Sequence, residues 1–309
     1  MGGKKRYPVR LRENIRQMWQ LYLFVLPAVL IVLIFNYWPM YGLQIAFKDY
    51  RPALGIAGSP WVGLKHFGRF LNGVLFFRLL KNTLSLSLYG LIVGFPIPIM
   101  LALVLNQLDR DRFKKLLQTV TYLPHFISTV VICGMILVFL SPRAGFFASF
   151  TRLLGNNDPR NIMGEPGYFS SIYVLSGIWQ HTGWNSIIFL AALSGVNPNL
   201  YDAADIDGAS KLQKTIHIDF PSIVPTVVML LILTMGRLMS VEFEKVYLLQ
   251  NSLNTKVSEV IATYVFKQGI QGGQYSFASA VGLFNNVVNC LLLLTVNTIV
   301  RRKSEHSLW

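Results

Sequence analysis

Six apolar stretches, each close to the roughly twenty residues that an α-helix needs to cross hydrocarbon, leave few folds open to this chain. They run from about Trp19 to Ala46, Leu79 to Leu105, Val120 to Leu140, Ser170 to Leu193, Ile223 to Ser240 and Ala278 to Val300. A soluble core has no need of apolar blocks of that length. Charged residues make up 14% of the chain and hydrophobic residues 53%, where soluble domains carry roughly a quarter charged residues. The first stretch begins at about Leu21 and runs past Ile34. It exceeds a signal-peptide core and no small-residue cleavage pattern follows it, so it reads as a retained span. The expectation is an all-α polytopic membrane protein of about six transmembrane helices.

The net charge of +14 sets orientation rather than pointing to nucleic acid. No basic helix face interleaved with aromatics is present to track phosphates, and no nucleic-acid partner is expected. Instead the cations gather at the ends and in one short loop. Lys4, Lys5, Arg6, Arg10, Arg12 and Arg16 precede the first span; Arg110, Arg112, Lys114 and Lys115 follow the second; Arg301, Arg302 and Lys303 follow the sixth. With an even number of spans all three groups lie on one side, which the positive-inside rule makes cytoplasmic, beside anionic membrane lipid. The organisation expected is a cytoplasmic basic segment 1–18, a transmembrane domain 19–300 and a cytoplasmic tail 301–309. The domain carries a long cytoplasmic loop, 194–222. Segments 47–78, 141–169 and 241–277, rich in Gly, Pro and aromatics, read as interfacial or extracytoplasmic structure. Cys133 and Cys290 both fall in apolar segments, which argues against a disulfide framework, and no Cys or His spacing resembles a metal site.

The loop carries the functional signal. Asn197 can cap a short helix with Pro198 at its first position, followed by Tyr201, Asp202, Ala203, Ala204, Asp207, Gly208 and Ala209. Small residues give this helix a face that can approach a partner closely, Gly208 permits a tight turn, and Pro221 marks the start of the next span. A short exposed helix joined rigidly to a span can carry a partner's motion into the membrane.

This stretch resembles the EAA loop of type I ABC importer permeases, whose pattern is Glu-Ala-Ala, three residues, Gly, nine residues, Ile, one residue, Leu-Pro. Asp202-Ala203-Ala204, Gly208, Ile218 and Pro221 match at that spacing, with Asp202 in place of Glu and Phe220 in place of Leu. Across most of its length the chain is similar to the carbohydrate, maltose-permease-like group, and within it to LplB-type oligosaccharide permeases. Asn36-Tyr37-Trp38-Pro39, Gly183-Trp184-Asn185 and the ending Ser304-Glu305-His306-Ser307-Leu308-Trp309 carry that likeness. The resemblance implies a multi-pass permease subunit in the bacterial cytoplasmic membrane, paired with a second related permease. It also implies two ATPase subunits that receive the loop helices and bind ATP and Mg, and an extracytoplasmic solute-binding protein that delivers an oligosaccharide. No Gly-rich loop ending in Gly-Lys-Ser/Thr occurs in this chain. No cofactor of its own and no enzymatic activity of its own are therefore expected, with hydrolysis supplied by a partner.

Sugar recognition needs planar polar groups for hydroxyls and aromatic faces for the ring. Candidates for a substrate path are Gln180, Trp184 and Asn185 in the fourth span, Asn82 and Tyr89 in the second, and Asn285, Asn286 and Asn289 in the sixth. The competing reading for each is helix packing through interhelical hydrogen bonds. His181 reads more readily as a packing residue than as a proton carrier. Arg237, a charge near the end of the fifth span, either snorkels or pairs towards Glu242 and Glu244, or belongs to an outer gate or sugar contact. An ion-gradient-driven secondary transporter is the alternative, but it would be expected to place carboxylates or a proton relay at mid-membrane, and the apolar spans show none. A membrane enzyme would need a nucleophile–base pair or metal cluster at membrane depth. Neither is visible.

Overall fold

The computed structural model describes residues 18–143, 145–155 and 160–303. The basic residues Lys4 to Arg16 and the ending Ser304–Trp309 lie outside the described residues. Among the described residues the chain is helical throughout, with one isolated β-bridge between Lys48 and Trp61. The long elements are α1 (Trp19–Phe47), α2 (Phe76–Asn106), α3 (Asp111–Phe126), α4 (Thr129–Phe139) and α5 (Pro166–Ser194). After them come α6 (Pro198–Ile206), α7 (Lys211–Met235), α8 (Phe243–Leu249), α9 (Ile261–Phe266) and α10 (Tyr275–Lys303).

Four of these, α1, α2, α7 and most of α10, are long and apolar enough to cross a membrane, and α3 with α4 would make a fifth if counted as one span. The fourth sequence candidate, Ser170–Leu193, lies inside α5, whose 29 residues extend about 43 Å at the rise of an α-helix. Gln180, His181 and Asn185 interrupt its apolar run.

Two expected spans differ from what forms. Val120–Leu140 is not one helix, because α3 and α4 meet at a 95° bend. Pro124 has no backbone N–H to continue the helix, and Leu123–Phe126 tightens into a 3₁₀ turn that runs into extended Ile127. Ser128 then caps α4 by accepting from the Val131 N–H. The fifth span begins twelve residues earlier than Ile223, at Lys211, and ends at Met235. A capping box formed by Ser210 and Gln213 starts it. Polar Lys211, Gln213, Lys214 and Asp219 hide this extension from a hydropathy reading. The supposed loop 194–222 is therefore mostly helix, with short joints at 195–197 and 207–210.

Three prolines in long helices are met by the same device. Wide π turns at Leu33–Tyr37, Gly90–Gly94 and Thr215–Asp219 each end two residues before a proline, namely Pro39, Pro96 and Pro221. A proline lacks the N–H that would bond four residues back, and its ring crowds that carbonyl; widening the preceding turn relieves both.

Three apolar clusters organise the packing. Leu86, Cys133, Phe169, Val246 and Leu249 join α2, α4, α5 and α8. Ile99, Ala102, Phe189, Leu193 and Ile223 join the far half of α2 to the ends of α5 and α7. Phe70, Leu79, Met239, Ile261, Phe277 and Val281 gather around α10 and α9. By contrast, no residue of α1 over Trp19–Val32 is buried, and α1 packs through its last turns on α10 and on the short helix Lys65–Leu71. Cys133 is buried, Cys290 is exposed, and both are free thiols.

Candidate coupling element and membrane cavity

The helix α6 is held by local chemistry at both ends. The Asn197 side chain accepts from the Asn199 N–H at 3.0 Å, and Pro198 occupies the first helical position. At the other end Ala209 N–H donates to the Ala204 carbonyl (2.8 Å) and Gly208 N–H to the Asp205 carbonyl (3.1 Å). This pair is a Schellman termination, and it requires the left-handed φ of +72° that Gly208 adopts. Asp202, Ala203, Asp207 and Gly208 are exposed, Ala204 and Ala209 half-buried, and Ile206 keeps 87% of its surface.

What fixes α6 to the membrane helices is a residue absent from the sequence-derived set. Asp219, 0% exposed, lies on the π turn of α7. The Tyr201 hydroxyl donates to its Oδ1 at 2.5 Å, Asn106 Nδ2 to the same oxygen at 3.2 Å, and Gln107 Nε2 to Oδ2 at 2.5 Å. Asn106 also reaches the Tyr201 oxygen at 3.4 Å. One carboxylate thus joins α6, the end of α2 and the body of α7, and donors from three positions offset the cost of burying its charge. Burial of Tyr201 and its hydrogen bond to Asp219 push the phenol up to about 12, so it stays protonated and donating at neutral pH. Around this node Lys214 pairs with Asp205, and Lys211 with Asp109 and the Gln107 carbonyl. Pro221 sits exposed two residues on, where its ring set the need for the π turn that turns Asp219 inward. The sequence signal was available: a lone Asp between Ile218 and Phe220, and an Asn-Gln pair closing an apolar span. Either reads alone as an ordinary helix terminus.

Between the first two apolar clusters, α2, α5, α7 and the segment leading into α8 line an open cavity of about 640 Å³. Gly90, Gly94, Tyr173, His181, Asn185, Arg237, Glu242 and Lys245 contribute to its wall. Of the path residues inferred from sequence, Asn185 lies on this wall, and Arg237 and Glu242 join it. Gln180 instead donates to the Ile127 carbonyl at 3.0 Å, satisfying the backbone where α3 breaks from α4. Trp184 stacks on His125 with ring centroids 4.5 Å apart and planes 4° from parallel. Asn82 donates to the carbonyls of Lys256 and Glu259, and Tyr89 lies 3.5 Å from Ser171 Oγ. On α10, Asn289 accepts from the Met239 N–H at 2.8 Å and donates to Ser240 Oγ, pinning the turn after α7. Asn285 is half-buried and Asn286 exposed, both away from the cavity.

Arg237 is not within a helix. Gly236 ends α7, where an added Cβ would collide with the Leu293 side chain, and Arg237 follows in the turn. No ion pair joins it to Glu242 or Glu244 among the described residues. Glu242 accepts from the Thr129 hydroxyl at 3.1 Å.

Because Gln180 serves the α3–α4 break, Gln180→Leu should lower the unfolding free energy of the purified chain by about 1 kcal/mol, the net worth of one hydrogen bond to a half-buried carbonyl. Thermal unfolding in detergent reads this directly. A melting temperature equal to that of the unaltered chain would mean that water serves Ile127 instead.

Comparison with known proteins agrees with this architecture. Residues 94–304 match the family described as binding-protein-dependent transport system inner membrane component. The polygalacturonan/rhamnogalacturonan transport system permease protein YteP of Bacillus subtilis is 42% identical over 306 residues, 99% of this chain and 95% of that one. Protein LplB of the same organism is 40% identical over 294 residues, 95% and 92% of the two chains. A crystal structure of a bacterial alginate ABC transporter, in complex with an alginate pentasaccharide-bound periplasmic protein, superposes with a TM-score of 0.86. It is 39% identical and covers 96% of this chain and 99% of that one. The chain belongs to the binding-protein-dependent transport system inner membrane component family, and it is a multi-pass permease subunit of an ABC importer.

Proposed function

We propose that this chain moves an oligosaccharide across the bacterial cytoplasmic membrane by alternating access, with α6 seated in a cleft of a partner ATPase. The observation that carries the reading is the Asp219 node. It makes the exposed α6 continuous, through buried hydrogen bonds, with α2 and α7, which both wall the cavity. Displacing α6 then displaces the cavity walls as a unit rather than bending a loop. ATP and Mg belong to the ATPase subunits in this reading, and a second permease completes the pathway. A solute-binding protein outside delivers the sugar. The names of YteP and of the alginate transporter, both concerned with carbohydrate polymers, support an oligosaccharide cargo. The both-termini-inside orientation follows from the basic segments and is part of the proposal.

Purification of the tagged chain from its native membrane tests the assembly. A second permease and an ATPase subunit should accompany it; a chain emerging alone under conditions that preserve other importers would overturn the reading. Gly208→Val sharpens the test. An added Cβ meets nothing within 4 Å, so the change acts through the positive φ alone, which a β-branched residue adopts at a cost of about 1–2 kcal/mol. The α6 terminus should rearrange, with loss of the co-purifying ATPase and normal insertion of the permease. Undiminished ATPase recovery would place docking elsewhere.

A further inference from the structure

We propose that the gap between α2 and α3 holds one anionic phospholipid, an acyl chain in the groove and the phosphate against Arg110 and Lys114. The inference needs the protein to stand in a membrane, as its family does, and depends on no particular cargo.

The helices α2 and α3 follow each other in sequence and both pack along α5, yet they scarcely touch one another. Between them lies an open groove of about 500 Å³. Ile97, Met100 and Val104 of α2 form one wall, Val120 and Pro124 of α3 the other, and α5 contributes Trp179. Met100, Val104 and Val120 keep 62%, 60% and 59% of their surface, so side chains of this protein do not fill the space. The wall's Thr121 hydroxyl is already used, donating to the Leu117 carbonyl of its own helix at 2.7 Å. Water finds few partners in such a groove, whereas an acyl chain matches its walls. From Ile97 to Val104 the groove follows α2 for about 10 Å, within one leaflet of the hydrocarbon.

The start of α3 supplies the headgroup end. Arg110, Lys114 and Thr121 fall on one stripe of this helix, so the two cations stand about three and two turns before the groove. Arg112 and Lys115 flank them. None of the four has a carboxylate within ion-pair distance among the described residues. Asp109 is taken by Lys211, which leaves exposed Asp111 as the opposing charge in this run. A second permease seated in the groove would bring its own cytoplasmic basic residues to the same level, and cation would face cation. A phosphate complements Arg110 and Lys114, and a net negative headgroup does so better than a zwitterionic one. In the orientation proposed above, the lipid belongs to the cytoplasmic leaflet.

The test uses the complete transporter, with its second permease and ATPase subunits, stripped of lipid in detergent. It is titrated with dioleoyl phosphatidylglycerol or dioleoyl phosphatidylcholine; native mass spectrometry counts the lipid retained, and thermal unfolding reads its effect. Phosphatidylglycerol should be held about tenfold or more tightly than phosphatidylcholine, the range expected of two cations at a membrane surface. Arg110→Gln combined with Lys114→Gln should remove that preference. Met100→Trp, which fills the groove from an exposed position, should cost one retained lipid and cancel the stabilisation by phosphatidylglycerol. Lipid held only as a loose layer around the protein would be indifferent to Met100→Trp, and that result overturns the site. Loss of the second permease from Met100→Trp, with lipid retention unchanged, overturns it too and makes the groove a protein interface. Should the double charge variant fail to assemble, Met100→Trp decides alone.

Discussion

Replacing Asp219 by Ala should abolish coupled transport, lowering uptake by about tenfold or more while the protein still inserts. The substitution removes the shared acceptor of Tyr201, Asn106 and Gln107, a carboxylate of 0% exposure, and leaves three half-buried donors without it. Stripping one side of a buried charged network costs about 3–5 kcal/mol. Here that cost falls on the junction between α6 and the helices that line the cavity, not on the apolar clusters that hold the bundle. ATP hydrolysis in proteoliposomes should persist at its basal rate but no longer rise with substrate and binding protein, because the moving part has lost its linkage. Tyr201→Phe removes one donor of the three and should retain intermediate uptake. The ordering unaltered chain, Tyr201→Phe, Asp219→Ala is the diagnostic outcome. If Asp219→Ala transports normally, α6 is anchored by the ion pair between its Asp205 and Lys214 of α7, and the buried node is incidental.

Gly183→Ala should damage the structure itself. A Cβ at Gly183 would collide with the backbone carbonyl of Thr121 and stand 2.9 Å from the Tyr122 nitrogen. These are main-chain atoms of α3, which cannot swing aside as a side-chain tip can. The α3–α5 crossing depends on the absence of that carbon, as close helix crossings in membranes commonly do. Separating them should cost about 3 kcal/mol, the upper part of the range for overpacking, and would also disturb the Trp184–His125 stack one residue on. Thermal unfolding followed by size-exclusion chromatography should show a clearly lower transition temperature and less complex with the second permease. Gly94→Ala is the matched control, since its Cβ would meet the Ile178 side chain at 3.4 Å, an ordinary contact. Equal stability of the two variants would show that α3 shifts freely against α5.

Much of this architecture was readable before any coordinates, and the residues show why. The apolar blocks around Leu21–Ile34, Leu91–Leu105 and Val287–Val300 are long because hydrocarbon demands it, so composition alone reveals them. Asn197, Pro198 and Gly208 act on backbone groups a few residues away, and the α6 helix they delimit forms as their spacing predicts. The family resemblance of that segment agrees with the family to which the chain belongs.

The bends and the polar interior behave differently. Pro124 breaks what reads as one apolar span, Val120–Leu140, and nothing local shows that Gln180, 53 positions beyond Ile127, satisfies the freed Ile127 carbonyl. The amides on α2 and α10 share the chemistry of sugar-binding groups, yet Asn82 and Asn289 are taken up by backbone partners far along the chain. Nothing in its sequence neighbourhood singles out Lys245; the packing of α8 against α4 and α5 places it beside the cavity. Local hydrogen bonding and the thickness of a bilayer act over a few residues or one helix, so the sequence by itself determined those three apolar helices and the capped α6. Which polar side chain meets a carbonyl, which meets a carboxylate and which meets open space depends on neighbours brought in from other helices, and that the tertiary structure alone decided.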